Sequence, residues 1–209
     1  MEAFIYRFHP QWIRAKEIVI NDEIGELLSF NCHFSYMNKD ADNIRNKPET
    51  GGGAIYDIGC YAVSTARFLF DKEPVRAMCT LLRDKTFKTD ATASGVLDFD
   101  EGRTSTFTVS TQMYPHQRIT AFGSKGKFSI EIPFNMPPNI PGKITVSDST
   151  GEKVIESEIA DQYLLQFEAF AEAVINKTGA PAPVSGAIAN MSVLDALFKS
   201  AETNNWVKI

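Results

Sequence analysis

From Leu28 to Tyr36 the chain alternates, with Leu28, Phe30, Cys32, Phe34 and Tyr36 on one side and Ser29, Asn31, His33 and Ser35 on the other. A period of two is the mark of a strand with one packed face and one polar face. Further strands are predicted over residues 75–83, 91–99, 103–112, 118–122, 127–132, 143–147 and 153–158. Asp100-Glu101-Gly102, Gly123-Ser124-Lys125-Gly126 and Ser149-Thr150-Gly151 separate several of them with the residues of tight turns. Close spacing of this kind predicts a largely antiparallel sheet. Thr104, Thr106, Thr108 and Ser110 share one face of their strand, which suits either an open face that meets a partner subunit or a solvated one.

Helical periods fill the gaps. Pro10 suits a first turn, where its missing N–H is no loss, and predicts a helix over residues 10–20. A second helix is predicted over residues 54–70, led by Gly51-Gly52-Gly53. A third covers residues 163–176, with Leu164, Phe167, Phe170, Ala171 and Val174 as its expected core stripe, and ends before Pro181 and Pro183. Ser185 is expected to cap a longer helix carrying Ile188, Met191, Leu194, Leu197, Phe198 and Ala201. Residues 2–7 read as a strand, residues 133–142 with four prolines as irregular loop, and residues 206–209 as a short closing strand. The predicted class is α+β: one domain over residues 1–209, an open-faced mixed sheet with helices on one side.

Composition narrows the function classes. The 209 residues are 44% hydrophobic and 22% charged, as in a folded globular protein. The net charge is −5, and the 21 Lys and Arg form no run, so a nucleic-acid partner is not expected. No long apolar span predicts a membrane segment. Three cysteines without C-x-x-C spacing, and a first stretch interrupted by Glu2, Arg7 and His9, fit a reducing cytoplasm.

Chemistry concentrates around the glycine run. In a helix Asp57 and Tyr61 stand at i and i+4 on one face, so they can form one site, or else only a local hydrogen bond. The glycines permit close backbone approach at free helix N–H groups, where a polar ligand could dock, or serve only as a turn. Arg45 is the best anchor for a hydroxylated or anionic group in the polar loop 38–48, or else a solvated charge. His33 has no Cys or carboxylate at metal spacing, and no metal site is assigned.

Two segments carry a family resemblance: Glu2-Ala3-Phe4-Ile5-Tyr6-Arg7-Phe8-His9-Pro10-Gln11 and Gly51-Gly52-Gly53-Ala54-Ile55-Tyr56-Asp57-Ile58-Gly59-Cys60-Tyr61, joined by Ile24-Gly25-Glu26-Leu27. They resemble the C-terminal domain of the glucose-fructose oxidoreductase, inositol dehydrogenase and MocA (Gfo/Idh/MocA) family, in its dimeric dihydrodiol and D-xylose dehydrogenase branch. Asp161-Gln162-Tyr163 and Gln166-Phe167-Glu168-Ala169-Phe170 extend the resemblance over essentially the whole chain. It implies an NAD(P)-dependent oxidoreductase of sugars, polyols or trans-dihydrodiols, in which this chain is the substrate-binding and dimerisation domain. The N-terminal Rossmann domain and the Glu-Lys-Pro lysine are expected to be missing. NAD or NADP would then serve the intact enzyme and not bind this part, which alone would be inactive.

The resemblance implies Tyr61 as acid/base, with Asp57 near the reacting carbon. A phenol has an ordinary pKa near 10, so it works best beside a cation, and the missing lysine would be that cation. Arg7 and His9 are implied on the nicotinamide side, although Arg7 could simply pair with an acid. Arg45 and Tyr163 are implied on the pocket wall, although Tyr163 could simply be core. Two alternatives stand beside this reading: a stand-alone, non-catalytic sugar-binding or dimerising module, and, with less support, a hydrolase using Asp57 as base.

Overall fold

The computed structural model describes residues 1–209. Nine strands form one sheet: β1 (Leu27–Met37), β2 (Arg76–Arg83), β3 (Asp90–Asp98), β4 (Thr104–Ser110), β5 (Gln112–Gly123), β6 (Gly126–Ile130), β7 (Lys143–Asp148), β8 (Gly151–Glu156) and β9 (Val207–Lys208), with burial alternating most clearly along β3 and β4. Their order is β8-β7-β6-β5-β1-β4-β3-β2-β9. Every pair is antiparallel except β1 with β4. Phe30, Cys32 and Phe34 of β1, Phe107 and Val109 of β4 and Ala93 and Leu97 of β3 point to the core side. The helices α2 (Cys60–Phe70) and α4 (Val184–Thr203) pack there, with α1 (Pro10–Ile20) against α2. The mixed, mostly antiparallel open sheet is therefore as expected.

The opposite face is hydroxylated and self-paired. Asn31 donates to Thr106 (3.0 Å), while Ser94 meets Thr108 (2.9 Å) and Thr92 meets Ser110 (2.8 Å) across adjacent strands. Such pairs satisfy side chains without a covering layer.

Four expectations are corrected. Residues 5–8 form a 3-10 turn and not a strand. Tyr6, fully buried against Trp12, Phe134 and Tyr61, is held there by aromatic packing and by a hydrogen bond between its hydroxyl and that of Ser64 (2.8 Å). A bulge between Leu27 and Ser29 buries Leu27 and turns Leu28 outward, because one extra residue reverses the side on which a strand residue falls. The helix α3 (Gln162–Ile175) buries Gln162, Gln166 and Ala173, leaving the expected core stripe of Leu164, Phe167, Phe170, Ala171 and Val174 exposed, Phe167 by 65%. On α4, Pro183 and not Ser185 occupies the cap position, and Ile188 and Met191 are exposed while Val193, Leu194 and Leu197 are buried.

Candidate functional site

Gly52 and Gly53 create the site by letting two backbone stretches touch. A Cβ on Gly52 would lie 2.5 Å from the Arg45 carbonyl oxygen, and the Gly53 amide donates to that same oxygen (2.9 Å). Gly53 has φ +123°, a conformation that favours glycine, and a Cβ there would strike the Asp90 carboxylate. Asp90, buried at the start of β3, accepts the Ile55 amide (2.7 Å). The N–H group that the sequence offered to a ligand is thus taken by a carboxylate of the chain itself. Burial raises the Asp90 pKa, and the hydrogen bond from Ile55 opposes that rise.

The helix beyond begins as a π turn, Ile55–Gly59, before α2 continues. π turns are rare and often sit at functional positions. Asp57 lies in this turn and Tyr61 follows it, and both line one cleft of about 310 Å³ with Phe34, Tyr36, Asn38, Arg45, Ile58 and Asn135. Arg45 Nε donates to Asp57 Oδ1 (2.8 Å), and Tyr36 donates its hydroxyl proton to Asp57 Oδ2. Asp57 raises the Arg45 pKa, while burial and then Asp57 raise that of Tyr36. The loop presenting Arg45 is braced by Asn46, whose Nδ2 donates to the Asp40 carbonyl (2.8 Å), and by Asn43, which caps the Arg45 amide (3.0 Å).

Tyr61 has a different environment. Its ring meets Phe4 (5.2 Å), Phe134 (5.3 Å) and Phe34 (6.1 Å) edge-on. Burial first, then Cys60, Asp57 and Tyr163, push its phenol up to about 12. Phe134 and Asn135 are set in place from α1, where Trp12 Nε1 donates to the Pro133 carbonyl (2.6 Å) and Gln11 to that of Ile132 (3.0 Å). The result is an aromatic floor under a polar rim, which fits the apolar C–H face and the edge hydroxyls of a sugar ring.

The structure brings Asp57, Tyr61 and Arg45 together at this cleft. Arg7 stands behind it, with Nη2 donating to Ser64 (2.8 Å), Nε to the Tyr6 hydroxyl (3.3 Å) and its guanidinium over Phe4 and Phe68. His9 is not brought to the cleft: it is fully buried, its Nδ1 caps α1 by accepting the Gln11 amide (3.2 Å), and burial lowers its pKa. Tyr163 is exposed in the first turn of α3, near enough to add to the upward push on Tyr61. Sequence reasoning missed Tyr36, Asn38, Asn135 and Asp90. Tyr36 was hidden as one more apolar position of β1, Asn38 and Asn135 were loop residues, and Asp90 stood one residue before the expected strand.

A model of the GFO/IDH/MocA C-terminal domain matches residues 12–129. The chain belongs to the GFO/IDH/MocA family. Within it, the chain is 36% identical over 212 residues to an uncharacterized oxidoreductase of Rhizobium meliloti, covering 98% of this chain and 63% of that protein. It is also 36% identical over 213 residues to a D-xylose 1-dehydrogenase (NADP(+)) of Haloferax volcanii, covering 100% and 64%. The chain thus spans less than two thirds of the length of these relatives. The crystal structure of aldose-aldose oxidoreductase from Caulobacter crescentus, complexed with glycerol, superposes with a TM-score of 0.89 over 99% of this chain and 63% of that one, at 19% identity. That likeness establishes the same fold for this GFO/IDH/MocA member.

Proposed function

We propose that this chain is the substrate-gripping part of an NAD(P)-dependent oxidoreductase acting on a hydroxyl of a sugar, polyol or trans-dihydrodiol. The observation that carries this reading is the convergence of Asp57, Arg45 and Tyr61 on one cleft over an aromatic floor. Asp57, oriented by Tyr36 and Arg45, holds substrate hydroxyls, and Tyr61 moves the proton of the reacting one. The kinship with a D-xylose dehydrogenase supports a small neutral sugar.

A dinucleotide does not fit the residues present. The one glycine cluster is closed against Arg45 and Asp90, so it cannot cradle a pyrophosphate, and a nicotinamide cofactor would be held by a further part of the protein. The uncovered apolar stripe of α3, with Ile188 and Met191 of α4, gives such a part a surface to cover. The hydroxyl-rich outer face of the sheet, with a shallow hollow of about 560 Å³ lined by Asn31, Met78, Ser94, Thr106 and Thr108, suits a second copy. As a base for hydrolysis Asp57 is disfavoured, since no second carboxylate and no Ser, Cys or Thr nucleophile lines the cleft beside it.

The test is direct. The purified chain is expected to bind D-xylose with amide shifts at Asp57, Tyr61 and Arg45, and not to reduce NADP with it. Reduction at an enzyme-like rate, or sugar shifts confined to other surfaces, would refute the proposal.

A further inference from the structure

The cleft does not end at Asn135. Past Phe34, Tyr36 and Asn135, which line both, it meets a second cavity of about 440 Å³ walled by Ser35, His116, Gln117 and Glu131. Each cavity alone lies within the ~300–1,000 Å³ range of small-molecule sites. Together they exceed what one pentose ring fills.

The wall between the two is built and not incidental. Gln117, which lines the second cavity, accepts the amides of Phe134 (3.0 Å) and Asn135 (3.3 Å) at Oε1, which fixes the loop that carries Asn135 and leaves the Gln117 Nε2 donors uncommitted. The Ser35 hydroxyl is already spent on the Tyr114 carbonyl (2.7 Å). Gln117, Asn135, His116 and Oε2 of Glu131, whose Oε1 meets Arg118, remain, a mixed donor and acceptor set that matches hydroxyls, each of which both gives and takes a hydrogen bond.

Charge narrows the ligand further. Arg45, the cation of the first cavity, is paired with Asp57, and Arg118, beside the second, is paired with Glu131 (3.1 Å). No lysine lines either cavity. A diphosphate would therefore enter without an unopposed cation and lose its hydration uncompensated.

We infer that the second cavity is a subsite for a further hydroxylated ring, so that the preferred ligand is an uncharged two-ring glycoside and not a lone monosaccharide or a nucleotide-linked sugar. The inference rests on the first cavity being the sugar site proposed above.

The experiment is NMR titration of the isotope-labelled 209-residue chain with D-xylose, xylobiose and thymidine diphosphate, repeated on a His116→Ala/Glu131→Gln variant. Both substituted residues are exposed, so folding is spared. Xylobiose is expected to bind about ten-fold tighter than D-xylose, to shift Gln117 and Asn135 as well as Tyr61, and to lose that advantage in the variant while D-xylose binds unchanged. Equal affinity for the two sugars, an advantage that survives the variant, or thymidine diphosphate binding more tightly in the second cavity overturns the subsite and leaves the first cavity's role standing. Failure of both sugars to bind in the cleft overturns the proposed function, and the subsite with it.

Discussion

Asp57 and Tyr61 lie four residues apart on one turn of chain, yet one is fully equipped and the other is not. Asp57 has an arginine on one oxygen and a phenol on the other, and its turn is tied down by Asp90 and by two glycines packed against the Arg45 loop. Tyr61 is set among aromatic rings, and its surroundings push the phenol up to about 12, the wrong direction for the proton transfer near neutrality proposed for it. The difference teaches that, on the proposed function, the hydroxyl-holding half of the site is complete within this chain. The proposed proton-moving half would then call for a cation brought from elsewhere.

The sharpest way to break the equipped half is Gly52→Ala. Its Cβ would meet backbone and not a movable side chain, so a loss of about 3 kcal/mol is expected in urea denaturation, together with loss of D-xylose shifts as the Arg45 loop is displaced. Asp90→Ala is expected to cost about 2 kcal/mol, because the Ile55 amide is left buried without an acceptor, and to broaden the amide signals of Ile55 to Gly59.

The unequipped half makes a pH prediction. The folded pKa of Tyr61 lies above the ordinary value near 10, so between about pH 10 and 12 the unfolded chain has released a proton that the folded chain still holds. The Tyr61 contribution to stability is therefore full below about pH 10 and is lost as pH rises through that window. Tyr61→Phe is expected to lessen the fall in the urea midpoint, the remainder coming from Tyr36, Tyr6 and Tyr56 and from the Cys32, Cys60 and Cys79 thiols, all of which burial also raises. The smallest stability effect is expected from Arg45→Ala, under about 1 kcal/mol since the pair is partly exposed, with a clear loss of D-xylose affinity in the same titration.

The contrast was only partly legible in the sequence. Alternation located β1, turn residues and spacing located β2 to β8 with the first half of β5 missed, and Pro10 and Asn21 bracketed α1 correctly. The same logic misled at α3, where periodicity announces an apolar face but not what covers it. Residues 2–7 looked strand-like because packing around Tyr6, which decides their shape, involves Tyr61 and Phe134, distant in sequence, as well as Trp12. Asp57 and Tyr61 could be paired by spacing and Arg45 proposed from its loop. The Tyr36 and Asp90 contacts depend on strands meeting the helix, and no local pattern reports that.

The most direct measurement is the pH titration of Tyr61 in the intact chain by NMR of its labelled ring carbon, assigned by the Tyr61→Phe variant. The account predicts an ionisation near pH 12, well above that of a free tyrosine. An ionisation at or below about pH 10 would show that the chain already supplies what Tyr61 needs, and would contradict the claim that half of this site is completed from outside.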